Sequence, residues 1–293
     1  MSSNIIERHE IKLSETHSKM IISGWGKEAY ENSVVERITY LSDLPADLSA
    51  DKTGKAGGLK VKGYIAYPKD NSKKYPCIIW CRGGAGNKGA IDSFTARGIY
   101  GQLASWGYCV FASQYRGNAR SEGQDEVGGN DVNDILNLIP LAYEIPQANH
   151  DIWGIEGWSR GGMMTFLTLR NNPNFKCAVL VGAISNVEEY ANNSPKLKSY
   201  YEYLIGTEKL EKELHKRSAI NFVSELPKIP YLLIHGAVDE TVSPNQSIKL
   251  AKKFDEYEIP HQLVLPKNGD HFLRKNRKEV DKLRRGWYEK YLK

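Results

Sequence analysis

The sequence predicts an α/β fold: a mostly parallel central sheet with helices on both faces, preceded by an antiparallel hairpin. Three observations carry this. From residue 75 onward, short apolar runs alternate with stretches of helical periodicity. Those runs lack the in–out alternation of a half-exposed strand, so they belong to a sheet covered on both sides. Ahead of them, two alternating segments lie on either side of a loose, Gly- and Lys-containing stretch.

Residues 1–32 carry no strong pattern and read as an N-terminal extension. Ser33–Tyr40 and Leu59–Tyr67 alternate in the manner of strands, and Asp51–Gly58 reads as the loop between them, which makes a hairpin. The apolar runs are Cys77–Trp80, Tyr108–Ser113, Ile152–Glu156, Ala178–Val181, Tyr231–Ile234 and Gln262–Leu265. Helical patterns cover Ser93–Trp106, Asp131–Tyr143, Gly162–Arg170, Asn245–Tyr257 and Lys278–Leu292. Residues 186–226 break the rhythm and read as a lid-like insertion over the carboxyl edge of the sheet. Ligands of open parallel sheets bind beyond that edge, so chemistry is to be sought just after each strand.

Composition sets the limits. The chain has 293 residues with 40 Lys plus Arg against 35 Asp plus Glu, a net charge of +5. That excess is too weak to imply nucleic acid. Its densest basic stretch, Phe272–Lys293, has Val280, Leu283, Trp287 and Tyr291 at helical spacing, so its charges read as the solvated face of a helix. With 41% hydrophobic and 26% charged residues the chain is globular in type. No run approaches the ~18 apolar residues of a membrane span. The first ten residues lack a basic cap followed by an apolar core, so a cytoplasmic location is expected. The four cysteines, Cys77, Cys81, Cys109 and Cys177, sit in apolar runs without metal spacing and are expected to be buried free thiols.

The most informative segment is Gly157-Trp158-Ser159-Arg160-Gly161, a G-x-S-x-G that follows a strand and opens a helix. A nucleophile on so sharp a turn needs neighbours without side chains two residues away on each side. The turn also sets Ser159 at a helix N-terminus, where free N–H groups favour developing negative charge. A serine hydroxyl needs a base. Asp239 follows the strand Tyr231–Ile234 and His271 follows Gln262–Leu265, giving the order Ser, Asp, His. Asp239 would hold the imidazole tautomer, and His271 would take the Ser159 proton and return it to the leaving group. Asp270 and Glu240 are weaker candidates for the acid. His235 stands at a strand end but ahead of the acid, and reads as a packing residue. Gly83 and Gly84, after the strand at Cys77–Cys81, would let the backbone approach a substrate carbonyl. The Gly84 and Arg160 amides would form the oxyanion hole. Gly84–Gly89 also spells G-x-G-x-x-G, but no acid stands about 20 residues on to meet a ribose, and no Walker A lysine follows.

These stretches resemble the catalytic domain of the prolyl oligopeptidase family of α/β-hydrolases. The resemblance lies in Arg82-Gly-Gly, Gln114-Tyr-Arg-Gly-Asn-Ala-Arg-Ser-Glu-Gly123, Gly157-Trp-Ser-Arg-Gly-Gly162, Arg217-Ser-Ala-Ile-Asn-Phe-Val, Lys228–Asp239 and Asp270-His271. It implies an α/β-hydrolase fold over residues 33–293, the triad Ser159, Asp239 and His271, and the Gly84 and Arg160 amides as oxyanion donors. Two features depart from the family pattern. The family's N-terminal β-propeller has no room here, and with it goes the paired-glutamate anchor of dipeptidyl peptidases. Arg82 and Arg160 stand where the family often has Tyr or His. If both face the cleft they would favour a substrate carboxylate; otherwise each pairs with a nearby acid such as Glu122 or Asp125. Trp158 is a further candidate for the substrate pocket. The expected function is a serine hydrolase that cleaves a short peptide or a small ester through an acyl-enzyme, without metal or organic cofactor. A carboxylesterase acting on small esters, anionic ones included, is the alternative within the class. A non-catalytic binding protein on the same fold is the alternative outside it.

Overall fold

The computed structural model describes residues 4–42, 58–172 and 174–293. The loop expected over Asp51–Gly58 lies outside the described residues except for Gly58 itself. The chain divides into two compact units. The first comprises Met1–Trp80, Ala85–Asp125 and Asn130–Trp153, and the second Cys81–Gly84, Glu126–Gly129 and Gly154–Lys293.

The first unit begins with β1 (Ile5–Glu10), α1 (Glu15–Trp25) and α2 (Lys27–Glu31). The expected hairpin follows as β2 (Ser33–Ser42) and β3 (Leu59–Pro68), antiparallel from Ser33↔Pro68 to Ser42↔Leu59. After it come β4 (Tyr75–Cys81), α3 (Ser93–Ser105), β5 (Cys109–Ser113) and α4 (Asp131–Leu136). β1 adds antiparallel to β2, β5 antiparallel to β3, and β4 parallel to β5. Residues 4–32, silent in the sequence, thus supply an edge strand and two helices. The buried Arg97 of α3 holds the end of α2. It donates to the Ala29 carbonyl at 2.9 Å and to the Tyr30 carbonyl, where the last carbonyls of α2 favour a cation.

The helix expected over Asp131–Tyr143 stops at Leu136, and a 3₁₀ turn, Ile139–Glu144, follows with Pro140 near its start. Proline has no N–H to bond the carbonyl four residues back, so the α-helix cannot run through. Nearby, Asp134 and Arg116 form a fully buried ion pair at 2.8 Å, completed by the Ser42 hydroxyl and the Arg116 amide. Burial raises the Asp134 carboxyl above its usual range, and Arg116 opposes this.

β6 (Ala148–Trp158) leads into the second unit, where α5 (Arg160–Asn171), β7 (Cys177–Val181), α6 (Val187–Asn192), α7 (Pro195–Ile205), α8 (Leu210–Arg217), β8 (Tyr231–Ile234), α9 (Asn245–Glu256), β9 (His261–Val264) and α10 (Arg277–Leu292) follow. Strands β6, β7, β8 and β9 are parallel neighbours in that order. The stretch at 186–226, read as an insertion, holds α6, α7 and α8 and short 3₁₀ turns. The sheet is mostly parallel, with its antiparallel members at the N-terminal strands, as the sequence predicted.

One expectation is corrected. The buried face of α10 is Val280, Arg284, Tyr288 and Leu292, while Leu283, Trp287 and Tyr291 are only half-buried. The helix turns this way because Glu156 of β6 is fully buried and needs partners. Arg284 reaches it at 2.8 Å and the Tyr288 hydroxyl donates to it at 2.6 Å.

Candidate active site

Ser159 stands between the end of β6 and the first residue of α5, with φ 57° and ψ −121°. A side chain in that region strains the backbone by about 1–3 kcal/mol, and such strain persists only where surroundings hold it. Here the Ser159 amide donates to the Val181 carbonyl at 2.9 Å, and the Ser159 carbonyl accepts from Gly162 at 2.9 Å and Ile184 at 3.2 Å. The flanking glycines are steric necessities. A Cβ on Gly157 would lie 2.2 Å from the Gly161 carbonyl oxygen, and one on Gly161 would lie 2.0 Å from that of Cys81.

The acid follows β8. Asp239 has a fully buried side chain, and its Oδ1 accepts from the Thr241 amide at 2.8 Å and the Val242 amide at 2.9 Å. Its Oδ2 lies 2.7 Å from His271 Nδ1. Burial by itself would raise this carboxyl. Hydrogen bonds from His235, His271 and the Val242 amide reverse that and hold it well below the usual carboxylate range. His271 follows β9, with a side chain 11% exposed. Asp270 and Glu240 are exposed, and Asp270 only caps the Arg274 amide at 3.4 Å.

Gly182, at the end of β7, lies against His271 and Asp239. A Cβ there would lie 3.4 Å from both Cε1 and Nδ1 of His271, and 3.6 Å from Asp239 Oδ2. Its neighbour Val181 holds the Ser159 amide. Gly83 approaches from the other side: a Cβ on it would lie 2.8 Å from the Trp158 carbonyl and 3.1 Å from Ser159 Cβ. Gly84 has φ +71°.

The remaining candidates are placed as follows. Arg82 is fully buried and donates from Nη1 to the Gly83 carbonyl at 3.1 Å. Arg160 is 4% exposed, and its Nη1 donates to the Gly84 carbonyl at 3.3 Å. Both guanidiniums thus brace the glycine loop. Trp158 donates from its indole to Glu156 at 2.5 Å, and the Arg284 guanidinium lies 5.6 Å from its ring centroid, so the indole faces α10.

Three further residues were not singled out for the site by sequence reasoning. Burial raises the Tyr190 phenol of α6 above its ordinary value, and the Asp239 charge raises it further. Burial raises Tyr201 of α7, and the Arg160 charge opposes this. Both lie in the inserted helices, where no motif marks them. His235 also touches the acid, its Nε2 standing 3.2 Å from Asp239 Oδ2. Among the described residues, no group of three or more His, Cys, Asp or Glu is placed to hold a metal. No helix among them is long and apolar enough to cross a membrane.

An α/β sheet with a strained serine between strand and helix, and an Asp–His pair delivered by the next strands, has the architecture of a serine hydrolase. Comparison with known proteins agrees. The model of the prolyl oligopeptidase family matches residues 97–293. The uncharacterized peptidase YtmA of Bacillus subtilis (strain 168) is 30% identical over 78% of this chain and 88% of its own length. The prolyl endopeptidase FAP of Mus musculus is 27% identical over 77% of this chain, yet the match spans only 30% of the mouse protein. The Pyrococcus horikoshii acylaminoacyl peptidase superposes with a TM-score of 0.73 at 24% identity, over 88% of this chain and 42% of that one, which shows the shared fold. The chain belongs to the prolyl oligopeptidase family and is a serine hydrolase of the peptidase type with the α/β-hydrolase fold.

Proposed function

We propose that this chain cleaves short peptides through an acyl-enzyme on Ser159, with His271 as general base and acid and Asp239 as its orienting carboxylate. The observation that carries this is the 2.7 Å contact between Asp239 Oδ2 and His271 Nδ1, both side chains lying against the strand end that holds the Ser159 amide. Asp239 accepts a hydrogen bond from the Nδ1–H of His271, so Nε2 is the nitrogen open to the serine. Ser159 Oγ attacks the substrate carbonyl carbon while Nε2 takes its proton. The oxyanion that forms accepts hydrogen bonds from the Gly84 and Arg160 amides. Collapse breaks the C–N bond as Nε2 gives its proton to the leaving amine. Water, deprotonated by Nε2, then attacks the acyl ester and Ser159 leaves with its proton restored.

Residues 33–293 act as the catalytic domain, with residues 1–32 an extension and 186–226 a lid. The electrostatic reach of Asp239 to Tyr190 and of Arg160 to Tyr201 supports that role for the inserted helices. The buried placement of Arg82 and Arg160 against glycine carbonyls favours bracing of the oxyanion loop over recognition of a substrate anion. The half-buried indole contact of Trp158 with Glu156 likewise favours packing. Four buried free thiols support a reducing compartment, the cytoplasm.

Ser159→Ala is expected to lose about 10⁴ or more in kcat with its fold retained, and a fluorophosphonate is expected to label the wild type at Ser159. Unchanged turnover in the variant together with no labelling of the wild type would overturn the mechanism. A parallel panel of aryl esters and peptide amides separates peptidase from carboxylesterase, since the two share every step except the leaving atom.

A further inference from the structure

The catalytic carboxylate is shared by two imidazoles. His235 closes β8, is completely buried, and lies four residues before Asp239 across a tight turn. Its Nε2 stands 3.2 Å from Asp239 Oδ2 and 2.9 Å from the Val242 carbonyl oxygen. Its Nδ1 stands 2.7 Å from Ser247 Oγ in the first turn of α9. These contacts decide the proton. A carbonyl oxygen can only accept, so Nε2 carries hydrogen, and the same N–H is shared with Asp239 Oδ2. The Ser247 hydroxyl can then donate to Nδ1.

The consequence for Asp239 follows from counting its lone pairs. Oδ1 takes the Thr241 and Val242 amides, and Oδ2 takes His271 and His235. Three hydrogen bonds and the shared Nε2–H of His235 surround the ionised carboxylate. Such a group resists taking a proton from His271 and has little freedom to turn its plane. We infer that His235 is a positioning residue for the proposed triad: through its Nε2–H it fixes Oδ2 opposite His271 and withdraws charge from that oxygen. This rests on the catalytic reading above. It predicts that removing the donor leaves Oδ2 more negative, so that the imidazolium of the resting enzyme persists to higher pH.

The test is the pH profile of kcat/KM for wild type, His235→Leu, His235→Asn and His235→Gln, each normalised by fluorophosphonate titration of Ser159. The amide of Gln reaches about as far as Nε2 and keeps a donor there; Asn is too short and Leu has none. The acid limb is expected to move upward by about half a pH unit or more in Leu and Asn, about a threefold loss at a fixed pH below the limb. Gln is expected to restore it toward wild type. An unmoved acid limb in a folded, titratable Leu variant overturns the inference, as does a Gln variant no closer to wild type than Asn. Should His235→Leu not fold, the Asn–Gln pair decides by the same reading. A wild type that no fluorophosphonate labels would instead refute the triad, leaving the two failures distinct.

Discussion

Replacing Asp239 by Asn tests the site where its geometry is most constrained. The substitution changes no volume, but the two backbone donors decide how the new amide sits. Thr241 N–H and Val242 N–H point at Oδ1 from 2.8 and 2.9 Å, so the amide oxygen must stay there. The NH₂ group then takes the place of Oδ2, 2.7 Å from His271 Nδ1. A donor facing Nδ1 forces that nitrogen to accept, and the imidazole proton moves to Nε2. A base protonated at Nε2 cannot take the Ser159 proton. The same tautomer error in serine hydrolases costs about 10⁴ in kcat, or about 5.4 kcal/mol of barrier. KM is expected to change little, because no substrate contact is lost. The assay is steady-state hydrolysis of a chromogenic peptide amide, with the rate of fluorophosphonate labelling as an independent readout of serine reactivity. A native-like Asp239→Asn protein whose kcat lies within tenfold of wild type would refute this reasoning.

Two further expectations concern stability. Glu156→Ala removes the buried carboxylate from the Arg284 guanidinium, only 4% exposed and also paired with Asp281, and is expected to cost about 3–5 kcal/mol. Urea unfolding followed by tryptophan fluorescence measures this, and a loss below about 1 kcal/mol would show that the helix–strand anchor is not structural. The depressed Asp239 carboxyl contributes stability that is fully present above its unfolded value of about 3.9 and is lost as pH falls through the lower folded value. The stability gap between wild type and Asp239→Asn should therefore narrow below about pH 4, in urea midpoints taken at descending pH. A gap that stays constant to pH 2.5 would count against it.

The candidate site was legible because it is written in local patterns. A Cβ on either glycine flanking Ser159 would fall 2.0–2.2 Å from a carbonyl oxygen, so no other residue type fits. Asp239 follows a buried strand and His271 a half-buried one, and short apolar runs reveal both. What the sequence left hidden depends on contacts between distant or folded-back segments. His235 meets Asp239 only because a turn brings residues four apart face to face. Arg284 and Tyr288 are drawn inward by a carboxylate on another element, so the buried face of α10 runs against simple hydrophobic periodicity. Tyr190 and Tyr201 occupy a segment whose composition signals only polar helix. The N-terminal helices were invisible for a related reason: α1 buries little beyond Ile21 and part of Trp25, and the end of α2 is held by one buried arginine on α3.

The contact between Glu156 and Arg284 joins residues 128 positions apart. During synthesis the carboxylate leaves the ribosome long before the guanidinium that neutralises it. Until then β6 carries an anion on the face it must bury, and desolvating that anion alone is prohibitive. The final burial of this face is thus coupled to α10, so the settling of the strand that leads to Ser159 waits on a helix that comes late in the sequence.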